Sequence, residues 1–414
     1  MNLLQVPGQT LIFAVFCLSC RKKRTFIAMK YFFLTILLIF SWQIALPQIS
    51  TIPPFGTDST LDIATWNIEH FPKNGTSTIN YVSQILQQLD LDVVALQEID
   101  DTVSFKQILN DLPDYQFYCK SSYYGGLAYL YKKDIISINA LYEIYTTSPY
   151  WSPFPRAPQV MDMSYLGNSV FIFDNHFKCC GDGILDLTNT GDEETRRFRA
   201  SNYIKEYIDT YLPDNNVIFV GDLNDILTDQ TANNVFINLI NDTEGYRFAD
   251  MDIAQGSSSH WSYPSWPSHL DHVLITNELF DEFQQPGSEI KAIKIDEYLT
   301  NGWYEYDNNV SDHRPVAIKF KMSSTLGFEE IAGHDLFTCN PNPATDVINF
   351  HFKASDNTAR IVITEITGKT VAILPLSKNQ TDISLQIEGF RKGIYVARLL
   401  STYRIAASRK IVVY

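Results

Sequence analysis

Basic side chains are scarce where the acids concentrate. Residues 57–322 contain 17 Lys and Arg against 39 Asp and Glu, while residues 323–414 contain 10 against 8. A broad electrostatic grip on nucleic acid is built from Lys and Arg, so the body of this chain lacks that mode of binding. Cleavage of a phosphodiester stays open to it if metal ions screen the site, and the acidity also serves solubility. Cysteine is sparse as well: six in 414 residues, two of which, Cys17 and Cys20, lie close to the N-terminus. The adjacent pair Cys179-Cys180 lacks zinc-site spacing. With Cys119 and Cys339 it allows three full disulfide pairings, and the sequence does not choose among them. Near the N-terminus the apolar run Tyr31–Phe40 is too short for a comfortable membrane span.

What the chain does hold is ample apolar material, 45% hydrophobic and 13% aromatic, which excludes a disordered chain. Its length predicts about two to three domains. Met29-Lys30, the run Tyr31–Phe40 and then Leu46-Pro47-Gln48 read as an export signal cut near residue 48. Residues 1–28 carry a second apolar patch, Leu11–Leu18, and the basic cluster Arg21-Lys22-Lys23-Arg24, which makes Met29 a candidate start. The other reading of this segment is an uncleaved signal anchor. Export permits disulfides.

Beyond a Pro/Ser/Thr-rich lead-in at 49–60, strand and helix patterns alternate. Leu61–Ile68 alternates as a strand. Ile79, Val82, Ile85, Leu86 and Leu89 follow at helical spacing, with Ser77 or Thr78 as the cap. Asp92–Leu96, Leu127–Tyr131, Val170–Phe173 and Val217–Val220 read as strands, Glu193–Tyr211 as a helix, and Leu270–Ile275 and Val316–Phe320 as further strands. The body, residues 57–322, is therefore α/β. Residues 323–337 are a linker by composition. Residues 338–414 show only short strands separated by turns and predict a small all-β sandwich.

The strand Val217–Val220 runs into Gly221-Asp222-Leu223-Asn224, which presents a carboxylate and a carboxamide two residues apart, on one side of an extended chain. Taken alone this is a turn. Other strand ends deliver Asn67, Glu69, Glu98, His176, Asp271, Asp312 and His313. Phosphodiester hydrolysis needs a metal to neutralise phosphate oxygens, a base to activate water and a group to stabilise the leaving oxygen. Singly, each of these residues is more often a cap or a surface group; their joint order is what points to chemistry.

Thr65-Trp66-Asn67-Ile68, Leu96-Gln97-Glu98, Asn175-His176, Gly221-Asp222-Leu223-Asn224, Leu270-Asp271-His272 and Ser311-Asp312-His313-Arg314-Pro315 stand in that order over about residues 60–321. Together they resemble the endonuclease/exonuclease/phosphatase superfamily, the DNase I-like group of deoxyribonucleases, abasic-site nucleases, neutral sphingomyelinases and inositol polyphosphate phosphatases. The resemblance implies a two-sheet, four-layer α-β-β-α sandwich. It implies Glu98 as the main metal ligand, helped by Asn67, Asp312 and Glu69, with Mg2+ or Mn2+ as the ion. His313 would be the general base, oriented by Asp271; Asp222 and Asn224 would orient water and bind the scissile phosphate. His176 would contact a phosphate oxygen or protonate the leaving group, with Asn175 as a substrate-binding neighbour. Arg156, in Phe154-Pro155-Arg156-Ala157-Pro158, resembles an arginine that some family nucleases place on substrate phosphate, and also reads as a surface residue. One departure stands out: pancreatic-type nucleases carry a Glu supporting the second histidine where this chain has Gly125-Gly126.

Three loop features have two readings each. Asp182, Asp186 and Asp192 are spaced unlike an EF-hand and read first as a solvated loop, second as a structural Ca2+ site. Trp261, Tyr263 and Trp266 either pack a long loop or stack on a base or headgroup. Cys179-Cys180 braces the loop after His176 if it pairs with Cys119. In the tail, Asn340-Pro341-Asn342-Pro343-Ala344, Ile366-Thr367-Gly368-Lys369 and Lys392-Gly393-Ile394-Tyr395 resemble the C-terminal sorting domain of type IX secretion, which implies passage across the outer membrane to a secreted or surface location. The alternative is an Ig-like binding module that stays on the enzyme.

The chain thus reads as an exported, monomeric, metal-dependent phosphodiesterase acting on nucleic acid, without a membrane span once the signal is removed. The same hydrolysis on a phospholipid such as sphingomyelin, or a phosphatase activity, is the alternative within the class. A non-catalytic surface-binding module is the alternative outside it, and it would have lost acids or histidines that are all present here.

Overall fold

The computed structural model describes residues 49–120, 125–322, 337–352, 359–365, 369–377, 379–401 and 404–414. The export segment 1–48 and all of the linker but Phe337 lie outside the described residues. In chain order the body runs β1 (Leu61–Phe71), α1 (Thr76–Leu89), β2 (Val93–Ile99), α2 (Thr102–Ile108), β3 (Tyr115–Cys119), β4 (Gly126–Lys132), β5 (Ser137–Glu143), β6 (Gln159–Tyr165), β7 (Asn168–His176), α3 (Glu193–Tyr211), β8 (Asn216–Asp222), β9 (Tyr246–Phe248), β10 (Asp271–Thr276), β11 (Glu289–Ala292), α4 (Gly302–Asn309) and β12 (Val316–Phe320), with shorter helical turns between.

Two six-stranded sheets form, in the orders β11-β12-β1-β2-β4-β3 and β5-β6-β7-β8-β10-β9. β1 pairs in parallel with β2, and β7 with β8. The alternation within β1 explains the layering. Leu61 and Ile63 enter the apolar layer between the sheets, whereas Ala64, Trp66 and Ile68 enter the layer beneath α1 and α2. The second sheet repeats this. Ile218 and Val220 of β8 face the first sheet, and Val217 and Phe219 face α3. Strands apolar on both faces need a cover on each side, and the result is the four-layer α-β-β-α sandwich. Trp66, Phe71, Phe105, Phe173, Phe219 and Phe320 are fully buried; each contributes about 2–3 kcal/mol of transfer free energy relative to exposure.

Several local details depart from the sequence pattern. α1 starts at Thr76 after Gly75, and no side chain caps it; Thr78 sits inside the first turn and accepts from the Asn74 N–H instead. The lead-in is not loose, because Ile52 and Phe55 are buried in the layer under α1. β3, β5, β6, β9 and β11 lie where no strand was expected. β3, β5, β9 and β11 are the edge strands of the two sheets, β5 half-buried throughout, whereas β6 is an interior strand buried along its whole length that carries the polar residues Gln159, Asp162 and Ser164.

The tail folds as an all-β region with its own core around Phe337, Phe350, Ile361 and Ala397. Its strands β13 (Phe337–Asn340), β14 (Val347–Phe352), β15 (Arg360–Glu365), β16 (Thr370–Pro375), β17 (Asp382–Gln386), β18 (Gly393–Ser401) and β19 (Arg404–Val413) make two antiparallel sheets, β13-β14-β17 and β16-β15-β18-β19. Among the described residues no helix is long and apolar enough to cross a membrane.

Candidate active site

Three adjacent strands of the second sheet carry one polar row. His176 stands opposite Asp222 in the β7–β8 register, and Asp222 opposite Asp271 in the β8–β10 register. Each continues the inner face of its strand at two-residue spacing: Val170 and Ile172 before His176, Ile218 and Val220 before Asp222, Val273 and Ile275 after Asp271. From the facing sheet, Asn67 and Gln97 continue the inner faces of β1 and β2 and stand opposite each other. The inter-sheet layer thus ends in polar groups along one rim. Beneath them Gln97 Nε2 donates to Asp174 Oδ1 at 2.7 Å, joining the two sheets. Burial raises the Asp174 pKa well above its ordinary value, against the hydrogen bonds it accepts from Gln97 and from backbone N–H groups.

Beyond Asn67 and Leu96 the strands are irregular, with register shifts before Phe71 and Ile99. Bulges of this kind re-aim side chains. Glu69, His70 and Glu98 there have φ of 28°, 48° and 62°, and Asn224 after β8 has 54°, all in the left-handed region that non-glycine residues seldom occupy. Gly221 marks a closer approach. A Cβ on it would lie 1.9 Å from the Asn175 carbonyl oxygen, so only glycine lets β7 and β8 meet at that row.

His313 arrives on the segment ahead of β12 and is held by its backbone. Ser311 Oγ donates to the Asn67 carbonyl at 2.7 Å and accepts the His313 N–H at 2.9 Å. The His313 carbonyl accepts from Trp66 Nε1 at 3.2 Å and from the Tyr306 hydroxyl at 2.7 Å. Its Nδ1 lies 2.7 Å from Asp271 Oδ2. Its Nε2 lies 3.7 Å from Asp222 Oδ2 and 3.9 Å from Asp312 Oδ1. Asp222 Oδ2 accepts from Asn67 Nδ2 at 2.9 Å and is 3.4 Å from His176 Nε2. Glu98 Oε1 is 3.3 Å from Asn67 Nδ2 and 3.9 Å from His176 Nε2. Glu69 pairs with Lys73 and accepts the Asp312 N–H at 2.9 Å. Asn224 donates its N–H to Asp222 Oδ1 at 3.1 Å.

The charges conflict. Burial, then repulsion from Asp271 and Glu98, pushes Asp222 up to about 7 against the pull of His313. Burial lifts Asp312 to about 6, with Glu69 and Glu98 adding to it. Burial disfavours the charged form of His313, yet Asp271 and Asp222 outweigh it and hold the imidazole pKa well above its ordinary value. His176 is driven the other way, first by burial and then by Arg156 and His313, and is neutral. Glu98, Asp312 and Glu69 supply hard carboxylate oxygens of the kind that suits a divalent cation, and Glu69 and Glu98 act on Asp312 through their charge. Their ligand atoms do not form a group within 4.8 Å of one another, and Asn67 turns its Nδ2 rather than its oxygen toward Glu98. Asp222, Asp271 and His313 offer ligand atoms within 4.8 Å of one another, but the Asp271–His313 hydrogen bond makes this group read as an acid–base pair.

Nearly all residues singled out from the sequence meet here. Arg156 lies half-buried in the field of Glu98 and Asp222, its pKa lowered by burial against their attraction. Asn175 does not reach the cluster. It sits on the outer face of β7, where its Nδ2 donates to the Phe173 carbonyl at 3.1 Å. His176 Nδ1 is buried without a hydrogen-bond partner among the described residues, as the missing Glu at Gly125-Gly126 leads one to expect. Of the three loop aromatics with two readings, Tyr263 lies against His313, ring centroids 4.8 Å apart and planes tilted by 41°; Trp261 bonds the Ile253 carbonyl, and Trp266 is 77% exposed. Ser311 and Lys73 had no signal beyond their neighbours' motifs. No disulfide joins Cys119 to Cys179 or Cys180, which are both exposed.

On the outer face behind Asp271, Asp250, His269 and His272 form a second buried group. His272 Nδ1 is 2.6 Å from Asp250 Oδ2, and its Nε2 is 2.9 Å from the Asp225 carbonyl. Burial raises the Asp250 pKa, but His272 and His269 overcome this and hold it below the ordinary 3.8. Burial lowers that of His272, but Asp250 lifts it above 6.5. Asp250 therefore adds stability above its unfolded pKa that fades as pH falls through the folded value. His272 adds stability below 6.5 that fades as pH rises through its folded value. Asp250→Asn is expected to cost about 3–5 kcal/mol, because a buried pair loses one partner. Denaturant melts over a pH series should show the largest difference from wild type at mildly acid pH; an unchanged melt would remove this brace.

The sequence matches the model of the Endonuclease/Exonuclease/phosphatase family over residues 64–313 and that of the Secretion system C-terminal sorting domain over residues 339–414. Solved structures with similar folds include TDP2 of D. rerio complexed with single strand DNA product, at 17% identity over 64% of this chain and 99% of that one, with a TM-score of 0.49. An endonuclease/exonuclease/phosphatase from Bacteroides vulgatus shares 12% identity over 64% of this chain and 100% of its own, with a TM-score of 0.45. The human Nocturnin catalytic domain with bound sulfate shares 13% over 66% and 97%, also with a TM-score of 0.45. No curated protein matches the chain.

Proposed function

This chain belongs to the endonuclease/exonuclease/phosphatase family, and from that premise we propose that it is a divalent-metal-dependent nuclease, exported to cleave phosphodiester bonds by attack of water. It is a hydrolase of phosphate esters by family, and its type IX sorting domain indicates export to a surface or secreted location through that machinery. The observation that carries the reading is the His176–Asp222–Asp271 row with His313 bonded to its last member at 2.7 Å.

In this reading Asp271 keeps the proton on His313 Nδ1, and His313 acts as base once its Nε2 is deprotonated, which the positive charge of a bound dication would favour against the pull of Asp271 and Asp222. Nε2, facing Asp222, then takes the proton of the attacking water. Asp222 and Asn224 orient that water and the scissile phosphate. Neutral His176 and cationic Arg156 receive the phosphate oxygens; the neutral imidazole adds no charge to an already crowded site. Glu98, Asp312, Glu69 and Asn67 would hold Mg2+ or Mn2+, which would supply charge neutralisation on the phosphate. The strongly acidic body leaves the site itself, rather than a basic surface, to attract the substrate.

The test is a panel of DNA, RNA, sphingomyelin and bis-p-nitrophenyl phosphate, each with Mg2+. Hydrolysis of DNA or RNA together with the small diester is expected. Turnover of sphingomyelin with nucleic acid left intact would replace the nuclease reading with a phospholipase-like one.

A further inference from the structure

We infer that the loop running into α3 binds one Ca2+ through Asp182, Asp192 and Glu194, apart from the catalytic rim. Each of the three offers a carboxylate oxygen, and these oxygens lie within 4.8 Å of one another. At Ca–O distances of about 2.3–2.6 Å, two ligands of one ion stand at most about 5 Å apart, so this spread fits a single Ca2+. The donors are all carboxylate oxygens, with no imidazole or thiolate, which favours a hard cation over zinc or copper.

The observation that raises this above a solvated acidic loop is Glu194. It is only 2% exposed, and its Oε2 has no hydrogen-bond partner among the described residues. A buried carboxylate oxygen left unmatched is costly, and a cation at this place would satisfy it. The other oxygen, Oε1, accepts the Gly183 N–H at 2.7 Å and faces Arg197 Nη2 at 3.1 Å. The loop closes over the carboxylate. A Cβ on Gly181, at φ 112°, would lie 2.1 Å from Glu194 Oε1, so glycine is required for Glu194 to sit there. Among the described residues no lysine or arginine pairs with Asp182 or Asp192. The N-terminus of α3 disfavours a cation by only about 0.3–1 kcal/mol, which three carboxylates outweigh.

Asp186, an obvious member from the sequence, is not in this group; its side chain closes a turn onto the Thr188 N–H and hydroxyl. The site has a route to the rim. Arg197, held by Glu194, donates to the carbonyls of Lys178 and Cys180 and to Asp225 Oδ2, each at 2.7 Å. Those carbonyls follow His176 by two and four residues, so a bound ion fixes the wall behind that histidine.

The test is calorimetric titration with CaCl2 of the folded protein in saturating Mg2+, together with a thermal melt at each endpoint. Wild type, Asp182→Asn and Glu98→Gln are compared. Asp182 is exposed, so its replacement leaves the core untouched. Wild type and Glu98→Gln are expected to take up one Ca2+, with a Kd of about 10⁻⁴–10⁻³ M as in extracellular modules, and to melt higher with it. Asp182→Asn is expected to bind at least tenfold more weakly and to lose the calcium-dependent rise in Tm. No calcium uptake by wild type, or uptake that depends on Glu98 and survives Asp182→Asn, would overturn the inference. None of this depends on the proposed hydrolysis.

Discussion

His313→Ala lowers kcat/KM for phosphodiester hydrolysis by about a thousandfold or more, the range expected when a general base is lost. The imidazole stands at the rim and not in any of the three apolar layers of the body, so the sandwich survives. What the variant loses structurally is the partner of Asp271 at 2.7 Å, and an uncompensated buried carboxylate costs a few kcal/mol. Circular dichroism should therefore report native secondary structure with a lowered Tm. Activity close to wild type in a folded His313→Ala protein would remove this residue from the mechanism.

A divalent-metal chelator abolishes turnover, and added Mg2+ or Mn2+ restores it in full. The reason lies in the crowding of acids. Asp222 is pushed up to about 7 and Asp312 up to about 6, each by burial first and by neighbouring carboxylates after it. A dication held by Glu98, Asp312, Glu69 and Asn67, as proposed, would relieve that repulsion and let the acids ionise at neutral pH. Without it the rim confronts an anionic substrate with negative charge, against which stand Arg156 and His313 among the described residues. Turnover that persists in excess chelator would overturn the metal requirement. Mg2+ should restore hydrolysis without restoring any calcium-dependent rise in Tm from the loop before α3, which separates the two ion sites in one experiment.

The parts of this architecture that were legible in the sequence are those written in local pattern. The long buried strands announced themselves by alternation in β1, by apolar runs in β2, β7 and β8, and by polar residues at their ends. α3 did so by its helical pattern over Glu193–Tyr211, and the structure adds Asp192 as its cap. The edge strand β5 and its neighbour β6 did not. β5 is half-buried throughout, and β6 follows a proline-rich stretch and carries the buried acid Asp162, so neither shows a clean alternation. The site was legible as a set of residues but not as a geometry. That His176, Asp222 and Asp271 share a row depends on which strands are neighbours and in what register, and these pairings link residues 46 to 57 positions apart.

Side-chain direction was the other hidden quantity. Asn175 and His176 are adjacent in sequence, yet strand alternation sends one to the outer face and one to the rim. Glu69 and Glu98 reach the rim only because both strands turn irregular and adopt left-handed backbone there, which no pattern of apolar residues encodes. Glu194 was concealed for a different reason. An acid in the first turn of a helix is expected on dipole grounds alone, and nothing local says that its carboxylate will be buried under the preceding loop.

The central claim is that scattered acids and imidazoles act as one catalyst, with Asp271 working through His313. The most direct measurement is kcat/KM on bis-p-nitrophenyl phosphate for Asp271→Asn, His313→Ala and the double variant, each shown to be folded. Residues acting as a unit give strongly non-additive losses, so the double variant should be no slower than His313→Ala alone, within about a factor of two or three. Losses that multiply would mean that the two side chains contribute independently, and would contradict the account.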